Sequence, residues 1–199
     1  MLRFLLVILL CLAPSGGQHP AEKQGFVVVE AEQFVTQEKS ARRQWHIIRD
    51  GEAAATASGR AYLKALPDTR VTHDDKLIHG ENFSNKPGEM AVLHDRVKFA
   101  TPGRYDVWAR AYSTGAEDNS IHVGLDGAWP ERGARMQWRQ GKKSWRWESR
   151  QRTGKNHCGE PGKIYLDVAS AGEHTVSFSM REDGFQFDQW LLTPTAADT

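Results

Sequence analysis

Gly103-Arg104-Tyr105-Asp106-Val107-Trp108-Ala109-Arg110-Ala111-Tyr112 is the segment with the clearest structural signal in this chain. Apolar or small residues occupy every second position from Tyr105 to Ala111, which is the period of a β-strand with one buried face. A turn signal, Thr101-Pro102-Gly103-Arg104, separates this run from another strand-like run at Val92 to Phe99. We therefore predict a β-hairpin at this point.

Further strand-like runs lie on both sides of this hairpin, and turn pairs such as Asp126-Gly127 and Asp183-Gly184 separate them. The runs are Phe26 to Glu32, Asn119 to Leu125, Lys163 to Val168 paired with His174 to Met180 as another hairpin, and Phe185 to Leu192. No segment carries a sustained helical period, so helices should be brief. Many short strands in one chain predict an all-β sandwich or barrel forming a single domain.

The segment Ala53 to Glu89 is the least regular part, and we expect it to wrap the domain as long loops. Trp108 and Trp190 lie within regular strands, where core packing is the expected role. Trp145 and Trp147 are two residues apart and should face the same way in a strand. They form either a buried pair or a platform of two rings.

The chain begins with the pattern of a secretory signal peptide at residues 1–17. Arg3 is the only charge there, and the apolar run Phe4 to Leu12 precedes small residues. This predicts a secreted or periplasmic protein with a tail at 18–24, a domain at 25–193 and a tail at 194–199. The residues before Cys11 argue against a lipoprotein anchor, and we expect no membrane insertion after cleavage.

Charge limits the kinds of partner. The chain has 26 Lys and Arg against 25 Asp and Glu, and Arg3 lies in the leader, so the remainder is formally neutral. This excludes a general nucleic-acid binder, which needs a strong basic surface. The segment 132–155 is nevertheless strongly basic, with one acid, Glu148. It indicates either an anionic partner, such as an acidic polysaccharide, or a solvated arginine-rich face.

Enzyme signatures are missing from the sequence. It contains no Gly-x-Ser-x-Gly elbow, phosphate-binding loop or His-Glu-x-x-His motif. A carboxylate pair for glycoside hydrolysis can be assembled from Asp118, Glu182 and Asp183, but nothing in the pattern distinguishes these residues. We therefore predict that the protein is not an enzyme.

Four segments, in order, carry a resemblance to a known group of domains. They are Val29-Glu30-Ala31-Glu32-Gln33-Phe34, the segment 103–112, Gly172-Glu173-His174-Thr175-Val176 and Phe187-Asp188-Gln189-Trp190-Leu191-Leu192. The order resembles carbohydrate-binding modules of the galactose-binding-like group, particularly families six and thirty-five, and the similar modules appended to glycoside hydrolases. The resemblance implies a jelly-roll β-sandwich and covers roughly residues 25–193.

The resemblance also implies a structural calcium ion. Glu30, Glu32 and Asp188 match the positions that hold it in the family. Calcium prefers six to eight oxygen ligands, so these carboxylates suit it chemically. The alternative is that they are solvated carboxylates on an edge strand.

The resemblance places a sugar site in loops at one end of the sandwich. Trp145 follows Gly141-Lys142-Lys143-Ser144, as a ligand-stacking Trp follows a Gly in the family, while Arg110, Tyr112, Asn119, Glu182 and Asp183 supply polar contacts. Family members often have an Asn in the last loop, where this chain has Glu182-Asp183-Gly184. Trp129, in a loop between Gly127 and Pro130, is a further candidate platform.

These observations predict a secreted, non-catalytic carbohydrate-binding module for a polysaccharide or other glycan. Two other classes stay open. One is an adhesion or cell-surface structural domain without sugar binding, and the other is a glycan-active enzyme. Binding to a glycan array separates the first from a sugar module, and turnover of a glycan separates the second from both.

Overall fold

A computed structural model describes residues 20–139 and 141–195. The predicted signal peptide at 1–17, with Cys11, and residues 196–199 lie outside this part of the chain. No helix in the described ranges has the length and apolar character needed to cross a bilayer. Of the N-terminal tail, residues 20–24 lie against the sandwich, and the Lys98 amide donates to the Pro20 carbonyl oxygen at 3.0 Å.

β-Strands are the main regular structure of the described chain, as the sequence predicts. The elements are β1 (Val27–Glu30), β2 (Thr36–Glu38), β3 (Gln44–Ile48), α1 (Gly51–Thr56), β4 (Tyr62–Leu66), β5 (Val92–Phe99), β6 (Gly103–Tyr112), β7 (Ser120–Leu125), β8 (Met136–Gln137), β9 (Trp145–Glu148), β10 (Arg150–Gln151), β11 (Glu160–Pro161), β12 (Tyr165–Val168), β13 (Gly172–Met180) and β14 (Gln186–Pro194). Short 3-10 turns lie at Ala31–Gln33, Ser58–Arg60 and Glu131–Gly133.

The strands form two seven-stranded antiparallel sheets that pack face to face. The first sheet has the order β12-β6-β14-β4-β3, with β1 also beside β14 and β9 also beside β6. The second has the order β11-β10-β8-β7-β13-β5-β2. This is the predicted jelly-roll sandwich. The first and last strands pair directly, with Glu30 opposite Gln189.

Both predicted hairpins are wrong, although their strands are present. β5 lies in the second sheet and β6 in the first, and the same division separates β12 from β13. The turn residues at Thr101 to Gly103 and at Ala171-Gly172 do reverse the chain. They carry it across the edge of the sandwich, because the apolar faces of the two strands line opposite walls of one core.

β6 shows how the alternating pattern works. Tyr105, Val107, Ala109 and Ala111 are buried between the sheets, and the intervening side chains point to the outer face of the first sheet. Trp190 is fully buried in the core, as predicted. The core role expected for Trp108 is wrong, because this residue shares its phase with Asp106 and Arg110 and is 36% exposed.

The segment Ala53 to Glu89 is more ordered than predicted, since it includes β4, which pairs with β3 and β14. The rest of it, from Pro67 onward, does wrap the domain. It covers the β13–β14 connection, where the Ser84 amide donates to the Arg181 carbonyl oxygen at 2.8 Å and the Asp183 amide donates to the Asn82 carbonyl oxygen at 3.0 Å.

Candidate functional site

Three aromatic rings form a cluster on the outer face of the first sheet. Tyr112 and Trp145 are register partners on β6 and β9, so their side chains lie on the same face. The Trp145 ring meets Tyr112 edge-on at 5.4 Å and Tyr62 at 5.3 Å. The Trp145 indole N–H donates to the Ala53 carbonyl oxygen at 3.0 Å, which ties the cluster to α1. The half-buried Trp145 is therefore held in a fixed orientation.

The two tyrosines keep their hydroxyl protons at any physiological pH. Burial and the nearby Asp50 carboxylate raise the pKa of Tyr62 above its ordinary value. Burial and the Glu52 carboxylate likewise raise the pKa of Tyr112. Both phenols can therefore donate and accept hydrogen bonds beside an aromatic surface.

Arg110 connects this aromatic cluster to a group of carboxylates. Its guanidinium carbon lies 5.4 Å from the Trp145 ring centroid, and its Nη1 donates to Asp188 Oδ2. The other Asp188 oxygen accepts from the Ser58 amide at 3.0 Å. Arg110 thus lies between an aromatic wall and a fully buried carboxylate.

The three predicted calcium ligands, Glu30, Glu32 and Asp188, meet beneath the Ser58–Arg60 turn. Glu30 Oε1 accepts from Ser58 Oγ and from Gln189 Nε2, each at 2.8 Å. Strand alternation does not explain why Glu32 is near Glu30, because β1 ends at Glu30 and Glu32 lies in the following 3-10 turn. Gly59 packs against this turn, and a Cβ at that position would lie 3.4 Å from Glu32 Oε1.

Negative charge is crowded in this group. The pKa of Glu32 is raised to about 7, mainly by burial and also by the Glu30 and Asp188 carboxylates, against the lowering effect of its own backbone amide. Burial raises the pKa of Asp188 to about 6, although Arg110 opposes the shift. Glu30 Oε2 and Glu32 Oε2 are buried without a hydrogen-bond partner among the described residues. Two unpartnered oxygens of this kind suit a hard cation.

A complete metal site is nevertheless not preformed. Among residues 20–139 and 141–195, no three His, Cys, Asp or Glu side chains are arranged around a common metal position. The charge of Asp188 is already compensated by Arg110, and its other oxygen accepts from the Ser58 amide. Glu30 and Glu32 therefore fit a calcium ion better than Asp188 does.

The aromatic cluster continues into the loop end, which we define as the segments 67–70, 113–119 and 181–184. Register pairing places four side chains next to one another across neighbouring strands of the first sheet. In order, they are Trp145 on β9, Tyr112 on β6, Gln186 on β14 and Lys64 on β4, so one row leads from Trp145 to Lys64. Lys64 Nζ lies 3.1 Å from Asp68 Oδ2. A Cβ on Gly184 would lie 2.6 Å from the Asp68 carboxylate, so the β13–β14 connection touches this side chain directly.

The loop end buries several charged groups in pairs. Arg43 Nη2 lies 2.9 Å from Asp183 Oδ2, and the Thr69 amide donates to the same oxygen at 2.8 Å. Arg181 Nη1 lies 3.0 Å from Glu182 Oε1, and the Asn119 amide donates to Glu182 Oε2 at 2.9 Å. Burial raises the pKa of Glu182 against the lowering effect of Arg181.

Some buried polar atoms at the loop end have no partner within the described chain. These atoms are Asp68 Oδ1, Arg70 Nε, Asn119 Oδ1 and Asp183 Oδ1. Buried polar atoms are normally hydrogen-bonded, so such a concentration calls for a partner from outside the chain, either water or a ligand. The loop end therefore combines fixed charges with unused hydrogen-bonding capacity.

Comparison with known proteins identifies the family of this chain. A model of the glycosyl hydrolase family 115 C-terminal domain matches residues 21–198. The chain belongs to that family. It is also 56% identical over 183 residues to the uncharacterized protein P23 of Formosa agariphila, a match that covers 86% of this chain and 44% of P23. The chain thus spans less than half of that relative.

Solved structures share the fold of this family 115 C-terminal domain at low identity. A Podospora anserina β-(1,4)-mannanase of family 26 with a family 35 carbohydrate-binding module matches 89% of the chain and 29% of its own length, with 16% identity and a TM-score of 0.53. A Paenibacillus xanthan lyase matches 86% of the chain and 13% of its own length, with 13% identity and a TM-score of 0.52. These likenesses confirm the jelly-roll fold predicted from the resemblance.

The structure sorts the predicted sugar-contacting residues of this domain into groups. Arg110, Tyr112 and Trp145 lie together on the outer face of the first sheet. Asn119, Glu182 and Asp183 lie in the adjoining loop end, where all three are buried. Trp129 lies apart, against Gly124 and Gly88, where a Cβ would lie 2.8 and 2.4 Å from its ring atoms.

Sequence reasoning missed Tyr62, Lys64 and Asp68, which join the two groups. A signal was present, because in Tyr62-Leu63-Lys64-Ala65-Leu66 the buried Leu63 and Ala65 alternate with Lys64. This strand is short and is flanked by irregular sequence, so the whole segment was interpreted as loops. Trp147 lies on the same face as Trp145 and is 39% exposed, whereas Trp145 is half-buried. The two tryptophans therefore form neither a buried pair nor a platform of two equally exposed rings.

The basic segment 132–155 does not form one patch. Arg135 pairs with Glu131, and Arg150 with Glu148. Lys142 and Lys143 are exposed in the loop before Trp145, and the Lys143 amide donates to the Ser113 carbonyl oxygen at 2.7 Å. Only part of the segment therefore lies beside the aromatic cluster.

Proposed function

We propose that this family 115 C-terminal domain is a secreted, non-catalytic module that binds a glycan where the aromatic cluster meets the loop end. The observation that carries the proposal is the row Trp145–Tyr112–Lys64, which leads from fixed aromatic rings to buried polar atoms without partners. Membership in a family of glycosyl hydrolase C-terminal domains supports a sugar-related role.

A sugar ligand needs both an aromatic surface and polar groups in fixed positions, and this site supplies both. The C–H face of a pyranose packs on an aromatic ring, while its hydroxyl rim needs donors and acceptors in fixed positions. Trp145 and Tyr112 supply rings, the Tyr112 hydroxyl supplies a donor and acceptor, and Arg110 and Lys64 supply cationic donors. The buried, unpartnered oxygens of Asp68 and Asn119 would accept hydrogen bonds from sugar hydroxyl groups if ligand binding opened the loop end.

The carboxylates at the loop end favour binding over hydrolysis. Glycoside hydrolysis needs two carboxyl groups free to act on the glycosidic bond. Asp118 accepts from the Thr114 amide at 2.9 Å and the Gly115 amide at 2.9 Å, while Glu182 and Asp183 are held by arginines. The carboxylate pairs that the sequence offers therefore have structural roles.

We include an acidic glycan and a calcium ion in the proposal. Lys142 and Lys143 are exposed beside the aromatic cluster, and their positive charge suits carboxylate or sulfate groups, whereas Arg110 and Lys64 are already paired with Asp188 and Asp68. Glu30 Oε2 and Glu32 Oε2 would hold the calcium ion, which would neutralise the crowded carboxylates and fix the turn that supports α1. Its role is structural, at a distance from the sugar.

A glycan screen with matched variants tests this function. Wild-type protein should bind one class of polysaccharide, Trp145→Ala should lose that binding, and Trp129→Ala should retain it, because Trp129 lies on the other sheet. Trp145→Phe keeps an aromatic ring in the cluster and should recover part of the affinity. Full binding by Trp145→Ala, or equal loss in Trp129→Ala, would remove the site from this position.

A further inference from the structure

Two exposed tryptophans lie on the outer face of the first sheet, beside the aromatic cluster but outside it. Trp147 follows Trp145 by two residues on β9, points to the same side and is 39% exposed. Trp108 of β6 is 36% exposed on that side. We call Trp147 and Trp108 the outer tryptophans. Exposed apolar side chains that lie side by side mark an interaction surface, whereas scattered ones do not.

The register of β6 and β9 sets the spacing of the three tryptophans. Trp147 is the partner of Arg110, so Trp108, two residues along β6, is its diagonal neighbour. Diagonal neighbours on a sheet lie roughly 7–8 Å apart, and residues two apart on one strand face lie about 7 Å apart. Trp145, Trp147 and Trp108 therefore form a line with nearly even steps, and this line is longer than one sugar ring.

Hydrogen-bonding groups accompany this line. Among the described residues, only Asp188 accepts a hydrogen bond from the Arg110 guanidinium, which has five N–H groups, so the others can donate to sugar hydroxyls. Beside Arg110, the half-buried Gln189 donates to Glu30 Oε1 and presents its own amide oxygen as an acceptor. The outer tryptophans therefore combine rings with polar groups, as the main site does.

The charges near Trp108 favour a neutral sugar unit. Arg104 Nε lies 3.0 Å from Asp167 Oδ1. Asp106, the next outward residue of β6 after Trp108, also attracts Arg104, so two carboxylates share one guanidinium. This surface therefore repels a carboxylate or sulfate group, unlike the exposed lysines of the loop before Trp145.

We propose that the outer tryptophans bind consecutive neutral sugar units of a polysaccharide whose next units occupy the aromatic cluster. The domain then recognises a stretch of several units rather than a single sugar. The proposal rests on the proposed function, because a sugar on Trp145 places the adjoining units beside Trp147. Units of one chain are linked, so weak contacts at the outer tryptophans strengthen binding at Trp145.

The opposite end of the row offers a sugar chain less. There His46, the register partner of Lys64, lines a groove of about 310 Å³ with Arg42 and Pro67 among others. No Trp, Tyr or Phe of the described chain lines this groove. A sugar ring finds no aromatic surface there, so the outer tryptophans are the better continuation of the site.

Fluorine NMR of protein labelled with 5-fluorotryptophan tests the proposal, because each tryptophan gives its own signal. The probes are the polysaccharide selected in the glycan screen and its disaccharide and hexasaccharide fragments, prepared by partial acid hydrolysis. We expect the disaccharide to shift the Trp145 signal alone and the hexasaccharide to shift those of Trp145, Trp147 and Trp108. The signal of Trp190, which is fully buried in the core, is the internal control and should not move.

Affinities of matched variants provide a second measurement. Trp147→Ala and Trp108→Ala should each weaken hexasaccharide binding roughly tenfold and leave disaccharide binding unchanged, because each removes one stacking surface. Trp147→Phe should recover part of the loss. Val28→Ala, on the same outer face two strands from Trp108, should change neither affinity. The gain in affinity from disaccharide to hexasaccharide should not depend on salt, since no charge pair contributes to it.

Three results would overturn this extension of the site. They are equal affinity for the two fragments, unchanged signals of the outer tryptophans with bound polysaccharide, and a dimer in light scattering that Trp108→Ala converts to a monomer. In the last case a second copy of the chain covers the tryptophans. Loss of binding in Trp145→Ala without any effect of the two outer substitutions supports the main site and contradicts the extension. A screen in which no polysaccharide binds contradicts both.

Discussion

The interior between the sheets and the polar side of the molecule both contain buried side chains, but their buried groups differ in kind. We define the polar side as the outer face of the first sheet together with the loop end. In the interior, aromatic rings meet at distances such as 4.9 Å for Phe178 and Phe187. On the polar side, buried charges pair, as Arg43 does with Asp183, and some polar atoms stay unpartnered. The concentration of unpartnered polar atoms, four of them at the loop end, distinguishes this region from the interior, where Trp190 Nε1 is also unpartnered.

The largest expected effect lies in the interior. Phe187→Ala should lower the free energy of unfolding by about 3–5 kcal/mol, because it removes a fully buried ring and leaves a cavity. Urea denaturation measures this loss. The control Val28→Ala, on an exposed side chain, should change stability by less than about 0.5 kcal/mol. Similar losses in the two variants would mean that the interior is not packed as described.

The next effect tests the buried pairs of the loop end. Arg43→Gln should cost about 3 kcal/mol of stability, because it leaves the Asp183 carboxylate buried without a countercharge. The double variant Arg43→Gln with Asp183→Asn should recover much of this loss, since no buried charge remains. Additive losses in the double-mutant cycle would contradict the coupling of these two side chains.

Calcium removal is the third test. A ligand bound only to the folded protein at 100 times its Kd adds about 2.7 kcal/mol of stability, so EDTA should lower the melting temperature. In Glu32→Gln, which keeps the side-chain size, EDTA should have little effect. An identical melting curve for demetallated and calcium-loaded wild-type protein would argue against the ion.

A single carboxyl group in the interior provides the fourth test. Burial raises the pKa of Asp95 to about 7, although the Trp190 indole and the Val35 amide oppose the shift. The folded pKa exceeds the unfolded one, so Asp95 is protonated in the fold at low pH, and stability falls as the pH rises from about 4 to about 7. Asp95→Asn should therefore stabilise the protein at pH 8 by on the order of 2 kcal/mol and change little at pH 4. Equal effects at both pH values, measured by urea denaturation, would contradict the raised pKa.

The smallest effect concerns exposed charge beside the aromatic cluster. Reversing Lys142 and Lys143 to Glu should weaken binding of an acidic glycan roughly two- to fivefold at low salt, as exposed charges contribute less than about 1 kcal/mol each. The difference should shrink as salt rises, since charges are screened beyond about 10 Å at 0.1 M. Calorimetric titration at two salt concentrations measures it. A salt-independent loss would indicate damage to the loop rather than lost attraction.

Much of the fold could be predicted from local sequence, because a buried strand face leaves a period of two residues. β6 is the example, with Val107 and Ala109 in the core. The pairing of strands could not be predicted, because Thr101 to Gly103 encodes a reversal of the chain but not the sheet that receives β6. Trp108 was misjudged for a related reason. Trp108 has the same strand phase as Asp106 and Arg110, which indicates the outer face. The core was predicted from its residue type alone.

The candidate site could be predicted only in part. The resemblance assigned Glu30 and Asp188 to one site, and the pairing of β1 with β14 brings these two residues close together. The contacts of Asp68 with Gly184 and of Arg43 with Asp183 join loops far apart in sequence, and no periodic pattern encodes them. The resemblance supplied Trp145, but the structure was needed to show that Tyr62 and Ala53 hold it.

The position of β14 in the first sheet has a consequence for how the chain folds. This last strand pairs with β6 on one side and with β4 and β1 on the other, so it joins segments from both halves of the chain. The first sheet cannot close until β14 has been synthesised, and nearly every pairing in it links residues distant in sequence. Proteins dominated by such non-local pairings fold slowly, on timescales of roughly milliseconds to seconds. The apolar faces of the other strands in the first sheet therefore stay exposed on the nascent chain until β14 arrives.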